Sequence, residues 1–194
     1  MSCNEKDISL IGFMGCGKSS VGKILASLLP DCHLIDLDTY IEEKQGKNIP
    51  EIFNEYGEAA FRRMEREALE EIFSDKSRPR AILSLGGGTV TSEQCRQLIR
   101  QHTDCFYLRA TTDTLLDNLE GHSDGRPMLN PTQPVEAQST ETSSEREALR
   151  HRIESLMQTR SPQYIATANH IIDIDGLSFA QIAEAVEDNI LNIK

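Results

Sequence analysis

The stretch Gly12-Phe13-Met14-Gly15-Cys16-Gly17-Lys18-Ser19 constrains this chain more than any other. It fits G-x-x-x-x-G-K-[ST]. It lies between a short apolar run, Ile8–Ile11, and a series at helical spacing, Val21, Ile24, Leu25, Leu28 and Leu29, which Pro30 stops. The glycines let the backbone curl so that successive N–H groups point at phosphate oxygens, and the helix that follows adds the positive end of its dipole. Lys18 is placed to reach the β- and γ-phosphates of a nucleotide, and the Ser19 hydroxyl to ligate Mg²⁺. A chance match in a chain of 194 residues arises roughly once in a hundred at average glycine usage.

The remaining pattern alternates in the same way. Strand-like runs at His33–Ile35, Ala81–Leu85, Cys105–Leu108 and His170–Ile174 are separated by helical spacings. The clearest of these are Phe61, Met64, Ala68, Leu69, Ile72 and Phe73, then Cys95, Leu98 and Ile99, and finally Phe179, Ile182, Ala183, Val186 and Ile190. Strands divided by helices predict a five-stranded parallel sheet covered on both faces, a three-layer α/β/α domain spanning residues 1–194. Ligands of such sheets bind at the carboxyl ends of the strands. The residues to read for chemistry are therefore Gly12–Ser19, Asp36–Asp38 and Gly86–Gly88. One stretch breaks the alternation. Gly121–Ser144 holds three Pro and many Ser, Thr and Gln, and is read as a mobile lid.

Charge narrows the function classes. Thirty-one Asp and Glu against 20 Lys and Arg give a net charge of −11, which excludes a general nucleic-acid or anionic-membrane binder. No run approaches the roughly 18–20 apolar residues that span a bilayer. Met1–Asp7 is polar, so no signal peptide is expected, and five Cys without a C-x-x-C suggest neither a disulfide framework nor a zinc site. The expectation is a cytoplasmic protein.

Asp36-Leu37-Asp38 follows the second strand. Alternate residues on an extended segment point the same way, so both carboxylates face one site. One can hold Mg²⁺, directly or through water, and the other can accept the proton of an attacking hydroxyl. A helix N-cap at Asp38 is the plainer alternative. Many phosphate-loop proteins carry a metal-bound Asp where Ser84 stands, which moves that task to Asp36. Gly86-Gly87-Gly88 permits close approach of a ligand to the backbone. Four cations stand out: Lys18, Arg62 at the start of the long amphipathic helix, Arg126 at the start of the lid, and Arg160, which ends the helix after it. Two Arg converging on a cleft make a bidentate clamp for a carboxylate.

With these residues in hand, the chain resembles the shikimate kinase family from about Ile8 to its C-terminus. The matching pieces are G-x-M-G-x-G-K-S at Gly12–Ser19, D-x-D at Asp36–Asp38, F-R-x-x-E at Phe61–Glu65, G-G-G at Gly86–Gly88, R-P-x-L at Arg126–Leu129 and R-x-P-x-Y at Arg160–Tyr164. The resemblance implies a P-loop fold like that of the nucleoside monophosphate kinases. It implies transfer of a phosphoryl group from ATP, with Mg²⁺, to the 3-hydroxyl of shikimate, on the route to chorismate and the aromatic amino acids. It further implies that Gly15, Cys16, Gly17, Lys18, Ser19 and Ser20 wrap the ATP phosphates, and that Ser19 ligates Mg²⁺ with Asp36 behind it through water. By the same resemblance Asp38 binds the reacting hydroxyl, Arg62 and Arg160 grip the shikimate carboxylate, Gly87 contacts the ring through its backbone, and Arg126 touches the transferring phosphate. Asn118 stands where many members carry an Arg that stacks on adenine. Small kinases of this kind are expected to be monomers.

Other readings stay open on the sequence. Another P-loop kinase, acting on gluconate or a nucleoside monophosphate, would share the phosphate loop. A GTP switch would need N-K-x-D, which is absent. Cys16, two residues before Lys18, is either a reactive thiol favoured as thiolate by the ammonium and the helix dipole, or a small residue that fits a tight loop.

Overall fold

The computed structural model describes residues 6–119 and 141–192. Among them, strands β1 (Asp7–Ile11), β2 (Cys32–Asp36), β3 (Arg80–Ser84), β4 (Thr103–Arg109) and β5 (His170–Asp173) form one sheet in the order β2-β3-β1-β4-β5. Every pairing is parallel, with Ile8 opposite Ile82 and Asp104, and Tyr107 opposite Ile171. Parallel neighbours need crossovers. Helices α1 (Lys18–Leu28), α2 (Leu37–Gln45), α3 (Ile49–Ser74), α4 (Glu93–His102), α5 (Thr112–Leu119), α6 (Glu141–Thr167) and α7 (Phe179–Asn192) lie between and beyond the strands.

The period of two in the strands sorts the core into two layers. Ile8, Leu10, Ile82, Phe106 and Leu108 pack against α1, α5 and α7, while Ile11, Ala81, Leu83, Cys105 and Tyr107 pack against α2, α3 and α4. Long helix α6 serves both, with Ile153 in the first layer and Tyr164 in the second. All of these side chains are buried, each worth roughly 1.5–3 kcal/mol for the larger ones. The three-layer α/β/α expectation holds.

Three local readings are corrected. The D-x-D segment is not extended: β2 stops at Asp36, and Leu37–Gln45 is helix. Asp36 is the N-cap, its Oδ1 accepting from the Asp38 and Thr39 N–H groups at 3.2 and 3.3 Å. The long amphipathic helix starts twelve residues before Phe61, at Ile49, behind a capping box of Asn48 and Glu51. It breaks direction at Gly57, whose φ of 76° and ψ of 170° no ordinary helical residue adopts. Arg160 does not end its helix. α6 runs on through Pro162 to Thr167, because Tyr164 is buried and stacked on Tyr107 with ring centroids 4.9 Å apart, and this anchoring outweighs the lost proline N–H. The predicted lid, 121–144, is shortened at its end by α6, and its residues 121–140, Arg126 included, lie outside the described residues.

Candidate active site

The phosphate loop leaves β1 at the middle of the sheet. Gly17 closes it as the N-cap of α1, with φ 86° and ψ 15° in the left-handed region, and no side chain caps the helix. The first N–H groups of α1 are thus left for an anion. Lys18 is nearly buried. Its Nζ donates to the Gly12 and Phe13 carbonyls at 2.9 and 3.0 Å, so the loop holds its curl through its own lysine. Asn118, on α5, donates through Nδ2 to the Gly15 carbonyl at 2.9 Å. A cavity of about 580 Å³ opens above the loop, and Lys18, Ser19, Asp36, Asp38, Gly86 and Gly87 are among its walls. The three sequence segments expected to meet at the carboxyl ends of the strands do meet there.

Cys16 is in the loop but its side chain is fully buried in the apolar layer under α1, 3.7 Å from Lys18 Nζ. Packing therefore accounts for it, and the reactive-thiol reading is set aside. Iodoacetamide on the folded protein is expected to alkylate half-buried Cys32 before Cys16 by peptide mapping; fast Cys16 labelling that MgATP suppresses would reverse that conclusion.

Ser19 Oγ donates to Asp36 Oδ2 at 2.6 Å and lies 3.1 Å from Ser84 Oγ. This set of one hydroxyl and one carboxylate beside a phosphate loop fits Mg²⁺, a hard ion that keeps several waters and takes most of its remaining ligands from phosphates. Asp36 thus serves twice, as helix cap and as hydrogen-bond partner of the Ser19 hydroxyl.

Asp38 is the second residue of α2 and faces the Gly86 turn. A Cβ at Gly86 would lie 3.0 Å from Asp38 Oδ1 and 3.0 Å from Glu65 Oε1, so a side chain there would have to press both carboxylates back by a few tenths of an ångström. Burial pushes the Asp38 carboxyl from 3.8 up to about 7; Glu65 and Asp36 add to the rise, and Lys18 and Arg62 oppose it. A carboxyl near neutrality suits an acceptor of a hydroxyl proton at physiological pH.

The two arginines read as a clamp both reach the Gly86-Gly87-Gly88 turn, but from different states. Arg62 is already paired: Nη2 donates to Glu58 at 2.9 Å and Nη1 to Glu65 at 2.6 Å. Arg160 is 3% exposed and, among the described residues, no carboxylate pairs with it. Its Nη1 donates to the Gly87 carbonyl at 3.5 Å, it neighbours the Tyr164 hydroxyl, and its guanidinium lies 5.8 Å from the Phe13 ring centroid. Tyr164 also donates to the Gly87 carbonyl.

Sequence reasoning gave no role to Glu58, Glu65 or Thr89, whose hydroxyl donates to Glu65. Glu58 and Glu65 lie four residues before and three after Arg62, the spacings at which helix side chains meet, so this anchoring was open to inference. It also missed Phe179, which lines the cavity mouth and packs on Gly17.

A family model described as shikimate kinase matches residues 14–190, nearly the whole chain. The chain belongs to the shikimate kinase family. Two shikimate kinases among its relatives are that of Chlorobaculum tepidum, 37% identical over 94% of this chain and 91% of the relative, and that of Thermus thermophilus, 34% identical over 94% and 89%. Solved structures agree. Acinetobacter baumannii shikimate kinase in complex with shikimate superposes with a TM-score of 0.81 at 29% identity, covering 98% of this chain and 95% of that one. The Bacteroides thetaiotaomicron shikimate kinase gives 0.79 at 28%, covering 95% and 98%. As a shikimate kinase the chain is an ATP- and Mg²⁺-dependent transferase, and among its described residues no helix is long and apolar enough to cross a membrane.

Proposed function

We propose that this cleft transfers the γ-phosphoryl group of ATP to the 3-hydroxyl of shikimate, with the roles divided as follows. The observation that carries the reading is Arg160, a buried guanidinium without a carboxylate partner among the described residues, on the same glycine turn that Asp38 lies against. A buried cation without a countercharge costs several kcal/mol, and a site that keeps one suits an anion. Shikimate supplies a carboxylate for Arg160 and Arg62 and a hydroxyl for Asp38.

Backbone N–H groups of Gly15, Cys16, Gly17, Lys18, Ser19 and Ser20 hold the ATP phosphates, and Lys18 exchanges its two loop carbonyls for phosphate oxygens. Mg²⁺ bound with ATP at Ser19, and through water at Asp36, would neutralise charge on the phosphates. Asp38 orients the 3-hydroxyl and takes its proton as the oxygen–phosphorus bond forms and the bond from the γ-phosphorus to the bridging oxygen breaks. Gly87 meets the ring through its backbone. Arg126, outside the described residues, is assigned to the transferring phosphoryl oxygens, and residues 121–140 to a covering lid. Because phosphoryl transfer asks mainly for positioning and charge stabilisation, these groups suffice. The chain is proposed to act as one domain, a monomer, in the cytoplasm.

A coupled ADP-release assay with shikimate, gluconate and nucleoside monophosphates as acceptors tests this. Turnover with shikimate alone is expected; preference for gluconate or a nucleotide would refute the assignment.

A further inference from the structure

We propose that Gly88 is a positioning residue for Arg62: the space left by its missing side chain is the seat of the guanidinium. This rests on the reading of Arg62 as half of the carboxylate grip. Gly88 has φ −105° and ψ −6°, values open to any residue, so backbone freedom does not explain a glycine there. Space does. A Cβ at Gly88 would lie 2.2 Å from Arg62 Nη2, 2.6 Å from Cζ and 2.7 Å from Nη1, all far inside van der Waals contact. Three guanidinium atoms this close to that position mean that the group fills the space a side chain at 88 would take.

The same guanidinium is held by Glu58 and by fully buried Glu65, which is itself fixed by Thr89. Arg62 is therefore caught between two carboxylates of its own helix and the face of one glycine. Of the two partners in the clash, Arg62 is the flexible one. Alanine at position 88 would leave the turn intact and push the guanidinium off its seat, away from Glu65. A group displaced by about 1 Å from its productive place can cost about 10²-fold in the reaction it serves. The third glycine of the G-G-G motif thus acts through Arg62.

The test compares wild type, Gly88→Ala, Arg62→Ala and the double variant in steady-state kinetics, with a crystal structure of Gly88→Ala. Gly88→Ala is expected to raise the shikimate KM about tenfold to a hundredfold, with the ATP KM within about twofold of wild type. In the Arg62→Ala background the same change is expected to add less than about twofold, since the group it displaces is gone. A wild-type shikimate KM for Gly88→Ala, or a full additional loss in the double variant, overturns the proposal. Arg62→Ala with an unaltered shikimate KM would refute the grip instead, and the crystal structure then decides the seat: a displaced guanidinium upholds it, an unmoved one overturns it. Should Gly88→Ala fail to fold, recovery of folded protein in the double variant supports the seat, and failure of both overturns it.

Discussion

Asp38→Asn is expected to lower kcat by about 10²–10⁴-fold and, in the same preparation, to stabilise the free protein at pH 8. The first effect follows from losing the acceptor of the hydroxyl proton while keeping the size and polarity of the side chain. The second follows from linkage. The folded-state pKa of Asp38, about 7, lies above the 3.8 of an unperturbed carboxyl, mainly because of burial. Between those values the folded protein holds a proton that the unfolded chain has lost, so stability falls as pH rises from about 4 to about 7 and stays lowered above. The full interval corresponds to up to about 4 kcal/mol, and the asparagine variant is free of it. Thermal unfolding in EDTA without nucleotide at pH 4.5 and pH 8 measures this: the two proteins should nearly coincide at the lower pH and separate at the higher, the variant melting later. A variant with near-normal kcat would remove Asp38 from its assigned role.

Arg160→Met carries the second large effect. Truncating one member of a buried, hydrogen-bonded charge pair costs about 2–5 kcal/mol, which is a rise of roughly 30- to several-thousand-fold in the shikimate KM. In the free protein the change replaces a buried cation, unpaired among the described residues, by an apolar chain of similar reach, so its melting temperature should match or exceed that of wild type. Arg62→Ala should cost less in KM, because Arg62 is already shared with Glu58 and Glu65 and has less to gain from a new carboxylate. Equal shikimate KM values for wild type and Arg160→Met would dissolve the clamp.

The phosphate loop could be read from sequence because its chemistry is local. Gly12 and Gly17 shape the backbone, Lys18 and Ser19 follow at fixed spacing, and the flanking strand and helix announce themselves by period. The parallel sheet followed from the alternation of apolar runs with helical spacings. What sequence concealed depends on partners far along the chain. Asp36 reads as one of two equivalent strand carboxylates until the helix start at Leu37 makes it a cap. Arg160 reads as the end of its helix until Tyr164 finds Tyr107, far away in sequence, and holds the last turn in place. Cys16 beside Lys18 suggests reactivity until the packing of α1 on the sheet buries it. That Arg62 has carboxylate partners and Arg160, among the described residues, has none depends on where the Gly86-Gly88 turn falls in space, which no local pattern reveals.

The placement of β1 at the centre of the sheet, with α7 packed on α1, sets an order of events during synthesis. The residues that receive phosphate are translated well before the partners of β1 at Ile82–Ser84 and Thr103–Tyr107. α7 packs against α1 in the same layer, and its first residue, Phe179, packs on Gly17. Pairings this distant form late, and until they do the apolar side of α1 is open to aggregation or chaperone capture. Ribosome-bound chains halted before Phe179 should therefore fail to retain ATP even when every residue of the phosphate loop has long left the exit tunnel.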